Sequence, residues 1–148
     1  MALSIRLLLV ADHYIHRYRQ LTYIRRVKHT GPAELVRAYL EAWADRDLAA
    51  AKRFLGGNFS MVYPGGARFS RLEDLVPHAA HSYRWVRKRF ERFDEAPAED
   101  GAVIVYCLGT LYGEFADGRP FEGVRFIDRF VVRDGLLTDH RVWNDLPR

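Results

Sequence analysis

The chain has 148 residues, 49% of them hydrophobic and 28% charged, and one cysteine. That is chain enough for one domain, able to bury roughly 70% of the surface it exposes when unfolded. The composition excludes a disordered or collagen-like chain, and a lone Cys107 excludes an internal disulfide framework or a cysteine-rich zinc site. The longest uncharged stretch, 101–113, is 13 residues, short of the about 18 that a membrane-crossing helix needs.

The formal charge of +4 is unevenly placed. Residues 1–30 hold six basic residues against Asp12, a net of +5, which leaves −1 for the rest. A nucleic-acid binder spreads basic surface over its folded body, so no nucleic-acid partner is expected. The apolar run Leu7 to Ala11 is five residues, too short for a signal-peptide core of about 7–15, and the expected location is cytoplasmic. Leu7, Ala11, Tyr14, Tyr18 and Leu21 recur at helical spacing. Residues 1–30 therefore read as a basic extension, loose or helical; membrane contact through it is the less favoured reading. Gly31-Pro32 marks the boundary with a domain over 31–148.

The spacing of Leu35, Val36, Tyr39, Leu40 and Trp43 predicts a helix over 32–44, opened by Pro32. Asp47 reads as the N-cap of a second helix over 48–55 that Gly56-Gly57 ends. Phe59, Met61 and Tyr63 alternate as in a strand over 58–63, stopped by Pro64-Gly65-Gly66. Ser70-Arg71-Leu72-Glu73 has the form of a capping box and predicts a third helix that Pro77 kinks or divides and that frays near Arg87. On this reading Arg84 to Arg89 is a solvated helix end. From Arg89 the period changes to two, giving strands over 90–96, 103–115, 121–133 and 136–144. Turns at 97–101, Asp117-Gly118 and Asp134-Gly135 separate them. Three helices, one early strand and a four-strand antiparallel meander make an α+β domain.

In the strand 124–133, Phe126, Asp128, Phe130 and Val132 share a face. Asp128 is thus an acid on an apolar face, where a carboxylate either pairs with a charge or stays protonated. Such groups gather at functional sites, although a structural Asp paired with an arginine or a tyrosine hydroxyl fits the pattern equally. The hairpin after it has two readings. A three-residue loop pairs Val132 with Leu136, sets Asp128 opposite His140 and turns His140, Val142 and Asn144 inward. A two-residue loop pairs Arg133 with Leu136 and turns Asp139, Arg141, Trp143 and Asp145 inward instead.

The motifs Ala38-Tyr39-Leu40-Glu41, Arg46-Asp47-Leu48, Met61-Val62-Tyr63-Pro64-Gly65, Phe126-Ile127-Asp128-Arg129-Phe130 and Arg133-Asp134-Gly135-Leu136-Leu137 follow in order. Through them residues 32–146 resemble the nuclear transport factor 2-like superfamily, which includes ketosteroid isomerase and the SnoaL-like polyketide cyclases. The resemblance implies a cone, a strongly curved antiparallel sheet wrapped around three helices (a cystatin-like roll), with a pocket at its open end. It also implies homodimers through the outer sheet face. In ketosteroid isomerase a tyrosine and a protonated aspartic acid donate hydrogen bonds to a developing oxyanion. By local motif those places fall on Tyr39 and Asp128. The family's general base falls on Tyr63, a poor base near neutral pH, so steroid-type isomerisation is not expected. His140 is the natural substitute, since histidine titrates near neutrality.

The expected pocket lining is Trp43, Tyr63, His81, Phe126, Phe130, Val142 and Asn144. His78 and His81 have metal-ligand spacing but no third ligand, so no metal and no cofactor are expected. Cys107 reads as a buried, inert thiol. The expected partner is a small hydrophobic or polyketide-like molecule. The chemistry expected of an enzyme here is cofactor-free proton transfer through Tyr39, Asp128 and His140, giving isomerisation, cyclisation or dehydration. The rival is a non-catalytic binding or dimerisation module of the same fold.

Overall fold

The computed structural model describes residues 31–146; the reading of 1–30 lies outside them. Pro32 opens helix α1 (Pro32–Ala44), which buries Leu35, Val36, Tyr39 and Leu40. Its N-cap, Gly31, has no side chain to offer; Glu95 Oε1 accepts the Ala33 N–H at 2.8 Å instead, supplying an acceptor to a helix end that has none of its own. Asp47 Oδ1 accepts from Ala50 N at 2.9 Å and caps α2 (Leu48–Lys52).

Helix α2 stops three residues before the expected end, and Gly56-Gly57 is not its cap. Both glycines lie in β1 (Leu55–Val62), because parallel pairing of Leu55 with Leu137 draws the chain into the sheet first. A two-stranded hairpin through β2 (Arg68–Phe69) follows. The capping box does not form: the N-cap of α3 (Leu72–Ala80) is Arg71, with no side-chain bond. Pro77 neither divides the helix nor lets it run far, since α3 ends three residues later.

The segment expected as the frayed end of that helix is strand. β3 (Tyr83–Pro97) pairs antiparallel with β4 (Val103–Phe115) from Tyr83–Phe115 to Pro97–Val103, across a short 3₁₀ turn at Glu99–Gly101. The long hydrophobic β4 provides a ladder for the whole length of β3, and that overrides the local helical appearance of 83–88. β5 (Pro120–Arg133) and β6 (Leu136–Asn144) complete the meander. The strand order is β2-β1-β6-β5-β4-β3, antiparallel except for the β1–β6 pair.

The sheet curves around the three α-helices of the described residues, an α+β cone. Two glycines of β4 permit the curvature. A Cβ at Gly109 would run into the carbonyl oxygen of Arg89, and one at Gly113 into that of Trp85. Register shifts in β3 lie beside both, and such bulges bend a strand and raise its twist. Val105, Cys107, Leu111, Phe126, Phe130 and Leu137 face inward and pack with α1 in one core. Burial pushes the Cys107 thiol up to about 12, so it is a packing residue.

The last hairpin combines the two expected readings, the loop of one with the inward face of the other. Its loop is the two-residue Asp134-Gly135, both with positive φ (51° and 73°), and Arg133 pairs with Leu136. That is the primed turn whose twist matches the strands. An extra residue, Thr138, then sits between the pairs Val132–Leu137 and Val131–Asp139. This bulge reverses the faces once more, so His140 and Val142 point inward although the loop is the short one. Asp128 stands opposite Val142, and His140 opposite Phe130.

Candidate functional site

Asp128 on β5 is wholly buried. Lys88 on β3 reaches across β4 and forms an ion pair with its Oδ2. His140 Nε2, from β6, lies 3.4 Å from the same oxygen, a diagonal neighbour across the β5–β6 ladder. The imidazole stacks on Phe130 with centroids 4.0 Å apart, and the Tyr39 ring of α1 meets it edge-on at 6.0 Å. Three strands and a helix thus bring Tyr39, Lys88, Asp128 and His140 together. Tyr39 Oη, Asp128 Oδ1 and His140 Nδ1 are buried without a hydrogen-bond partner, while His140 Nε2 faces Asp128 Oδ2. Native interiors pair nearly all such atoms, so three in one cluster set this place apart from the rest of the core.

The electrostatics follow from the burial and the lysine. Desolvation raises the Asp128 pKa, but the Lys88 ammonium, and after it the nearby His140, outweigh that effect and hold the carboxyl below the usual aspartate range. A protonated Asp128 donating to an oxyanion is therefore not what the structure holds. The carboxylate is ionised, and its partner is a lysine rather than an arginine or a tyrosine. Burial lowers the His140 pKa despite Asp128 beside it, so the imidazole is neutral near pH 7. Burial raises the phenols of Tyr39 and Tyr63, and both keep their protons.

Next to this cluster opens a cavity of about 700 Å³, walled by the C-terminal half of α1, the end of α3 and the inner face of the sheet. Trp43, Tyr63, Phe126, Val142 and Asn144 line it, together with Lys88. His81 and Phe130 do not. His81 is an exposed helix C-cap whose Nδ1–H donates to the Pro77 carbonyl at 2.7 Å. Phe130 is fully buried between Tyr39 and His140. Tyr39, Asp128 and His140 also stand behind the wall rather than in it. Lys88 is the side chain that belongs to both cluster and cavity. Sequence reasoning missed it by placing 84–89 on a helix; the alternation of Val86, Lys88 and Phe90 was the available signal. Among the described residues no group of three or more His, Cys, Asp or Glu could hold a metal ion.

A family model of the SnoaL-like domain matches residues 36–140, and the chain belongs to that family. It is 31% identical over 91 residues to the esterase/β-lactamase LipL of Mycobacterium tuberculosis, a match that covers 62% of this chain and spans only 18% of that protein. An NTF2-like protein of unknown function from Burkholderia pseudomallei superposes with a TM-score of 0.66 at 19% identity, over 76% of this chain and 88% of the other. TerC, co-crystallised with polyporic acid, gives 0.61 at 18%, over 76% and 89%. ActVI-ORFA from Streptomyces coelicolor gives 0.58 at 18%, over 75% and 92%. At these identities the structures speak for the fold alone.

Proposed function

We propose that the cavity receives a small hydrophobic or polyketide-like molecule and that the chain performs cofactor-free proton transfer on it, as in an isomerisation, cyclisation or dehydration. The observation that carries this reading is the cluster of unpartnered buried polar atoms joined to the cavity through Lys88. Interiors do not keep idle polar groups without a reason. In this reading Lys88 passes a proton to the Asp128–His140 pair and takes one from the ligand. Asp128 is the counter-charge and His140 the proton carrier, and the Tyr39 ring packs edge-on against the imidazole. Polyporic acid in TerC, of the same fold, supports a small organic ligand.

The test is deuterium exchange. Cyclic ketones that raise the melting temperature of the full chain are incubated with it in D₂O, and loss of their α-protons is followed by NMR. The reading predicts catalysed exchange that Asp128→Asn abolishes. Stabilisation without exchange supports the second reading, a non-catalytic binding module. That reading has its own observation: Tyr39, Asp128 and His140 stand behind the cavity wall. Homodimerisation belongs to the proposal as well, through the outer sheet face, where the cross-strand pair Ile127 and Trp143 is 43% and 51% exposed. So does a cytoplasmic location; no helix of the described residues is long and apolar enough to cross a membrane.

A further inference from the structure

The outer face of the sheet gathers arginines in one row. Met61 and His140 pair across β1 and β6 and point inward, both buried. Side chains alternate along a strand, so the next pair, Val62 and Arg141, points outward. Val62 pairs on its other side with Arg68, and Arg141 with Arg129. A row of Arg68, Val62, Arg141 and Arg129 thus crosses the neighbouring strands β2, β1, β6 and β5.

The charges of this row do not cancel. Asp139 Oδ1 accepts from both Arg129 and Arg141, and its Oδ2 accepts from the Ser60 hydroxyl at 3.4 Å. Arg68 has no ion pair or hydrogen bond among the described residues. Three guanidiniums and one carboxylate leave two positive charges unmet. The acids nearest along the face are already taken, Asp94 by Arg92 and Asp145 by Arg125. Arg141 uses only Nε on Asp139, so its two Nη groups remain to form a fork.

Beside the row lies a second pocket, of about 260 Å³. Pairing of β1 with β6 stops at Val62–Arg141 while β6 runs on to Asn144. The turn Pro64-Gly65-Gly66 carries the chain away there, both glycines at positive φ (91° and 87°), and leaves a notch walled by Arg141 and Trp143. Trp143 is half exposed and offers an apolar ring face next to the guanidinium. Neighbouring strands are about 4.8 Å apart, so Arg68 and Arg141 stand about 10 Å apart across Val62, close enough for two such long side chains to meet on one anion. A guanidinium fork matches phosphate oxygens, two unmet charges match a dianion, and an indole face matches a ring. We propose that this notch binds a small aromatic phosphate monoester, with the phosphate on Arg141 and Arg68 and the ring on Trp143. The inner cavity takes no part, so the inference stands or falls separately from the function proposed above.

The experiment titrates the full chain with phenyl phosphate, benzoate, benzyl alcohol and inorganic phosphate. Calorimetry at a pH of about 7.5, where a phosphate monoester is a dianion, gives the affinities, and ¹⁵N shifts mark the place. Trp143 also belongs to the face proposed for pairing two copies, so the titrations are run at a concentration where sedimentation velocity shows one species. Phenyl phosphate is expected to bind about tenfold tighter than benzoate, to weaken as salt rises, and to shift the Gly65 and Gly66 amides and the Trp143 indole N–H; benzyl alcohol is expected not to bind. Arg141→Gln and Arg68→Gln each weaken it about tenfold, as the loss of a charge-assisted hydrogen bond does. Trp143→Leu brings it down to the affinity of inorganic phosphate. Both arginines are surface groups outside the inner cavity, so phenyl phosphate that binds Arg68→Gln/Arg141→Gln as tightly as wild type sits elsewhere and overturns the proposal. Benzoate binding as tightly as phenyl phosphate overturns the dianion, and absence of phenyl phosphate binding to wild type overturns the site.

Discussion

At the scale of single residues, the buried ion pair governs both stability and titration. Asp128 is fully buried, and Lys88 is its compensating cation. Breaking such a pair from one side strands a charge and costs about 3–5 kcal/mol, whereas replacing both partners by apolar groups is often neutral. Urea unfolding should show Lys88→Met strongly destabilised and Lys88→Met/Asp128→Leu restored to near wild type; equal losses would mean that the two groups are not coupled. The pH profile has two steps of one sign. His140 is depressed in the folded state, so the unfolded chain binds the proton first and stability declines as pH falls below about 6.5. Asp128 is depressed as well, so its contribution is full above the unfolded aspartate range and fades only in stronger acid. The decline between about pH 6.5 and 5 should vanish in His140→Gln, measured by denaturant midpoints across pH. The acid on an apolar face was readable from the alternation of Phe126, Asp128 and Phe130. Its partner was not, because Lys88 lies 40 residues away in sequence and its orientation depends on the strand that carries it.

At the scale of elements, the helices and the meander were legible because their signals are local: the stripe of α1, the Asp47 cap, the alternation in β4 and β5. The failures share one cause, long-range pairing that overrides local preference. Pairing with β6 captures Leu55, and pairing with β4 captures 83–88. The bulge at Thr138 leaves no mark in sequence, yet it decides which face His140 occupies. The bend of β4 under β3 is more tractable, since it needs backbone without a Cβ at Gly109 and Gly113. Gly109→Ala should cost about 1–3 kcal/mol, as overpacking commonly does, and lower the melting temperature; an unchanged midpoint would show that the strands can separate there without loss. On the outer face Arg129 and Arg141 stand directly opposite, and Asp139 relieves that like-charge contact by bonding both, at 3.0 and 3.2 Å.

At the scale of the whole molecule, the cone leaves two surfaces of different character. Inside is a cavity walled by apolar and charged side chains, Lys88 among them; outside is a sheet face with Ile127 and Trp143 exposed. If that outer face pairs two copies, Trp143→Glu should convert a dimer to a monomer in sedimentation velocity while the melting curve stays close to wild type. A wild-type monomer at micromolar concentration would remove the dimer from the account. Between the two surfaces stands Asp128, ionised at the back of the cavity. Its titration in ¹³C-labelled full-length protein, read at the carboxyl carbon and assigned by Asp128→Asn, bears on everything above. A signal that stays ionised well below the normal aspartate range agrees with the lysine-paired carboxylate; a carboxyl still protonated at neutral pH, or one titrating like a free aspartate, contradicts it.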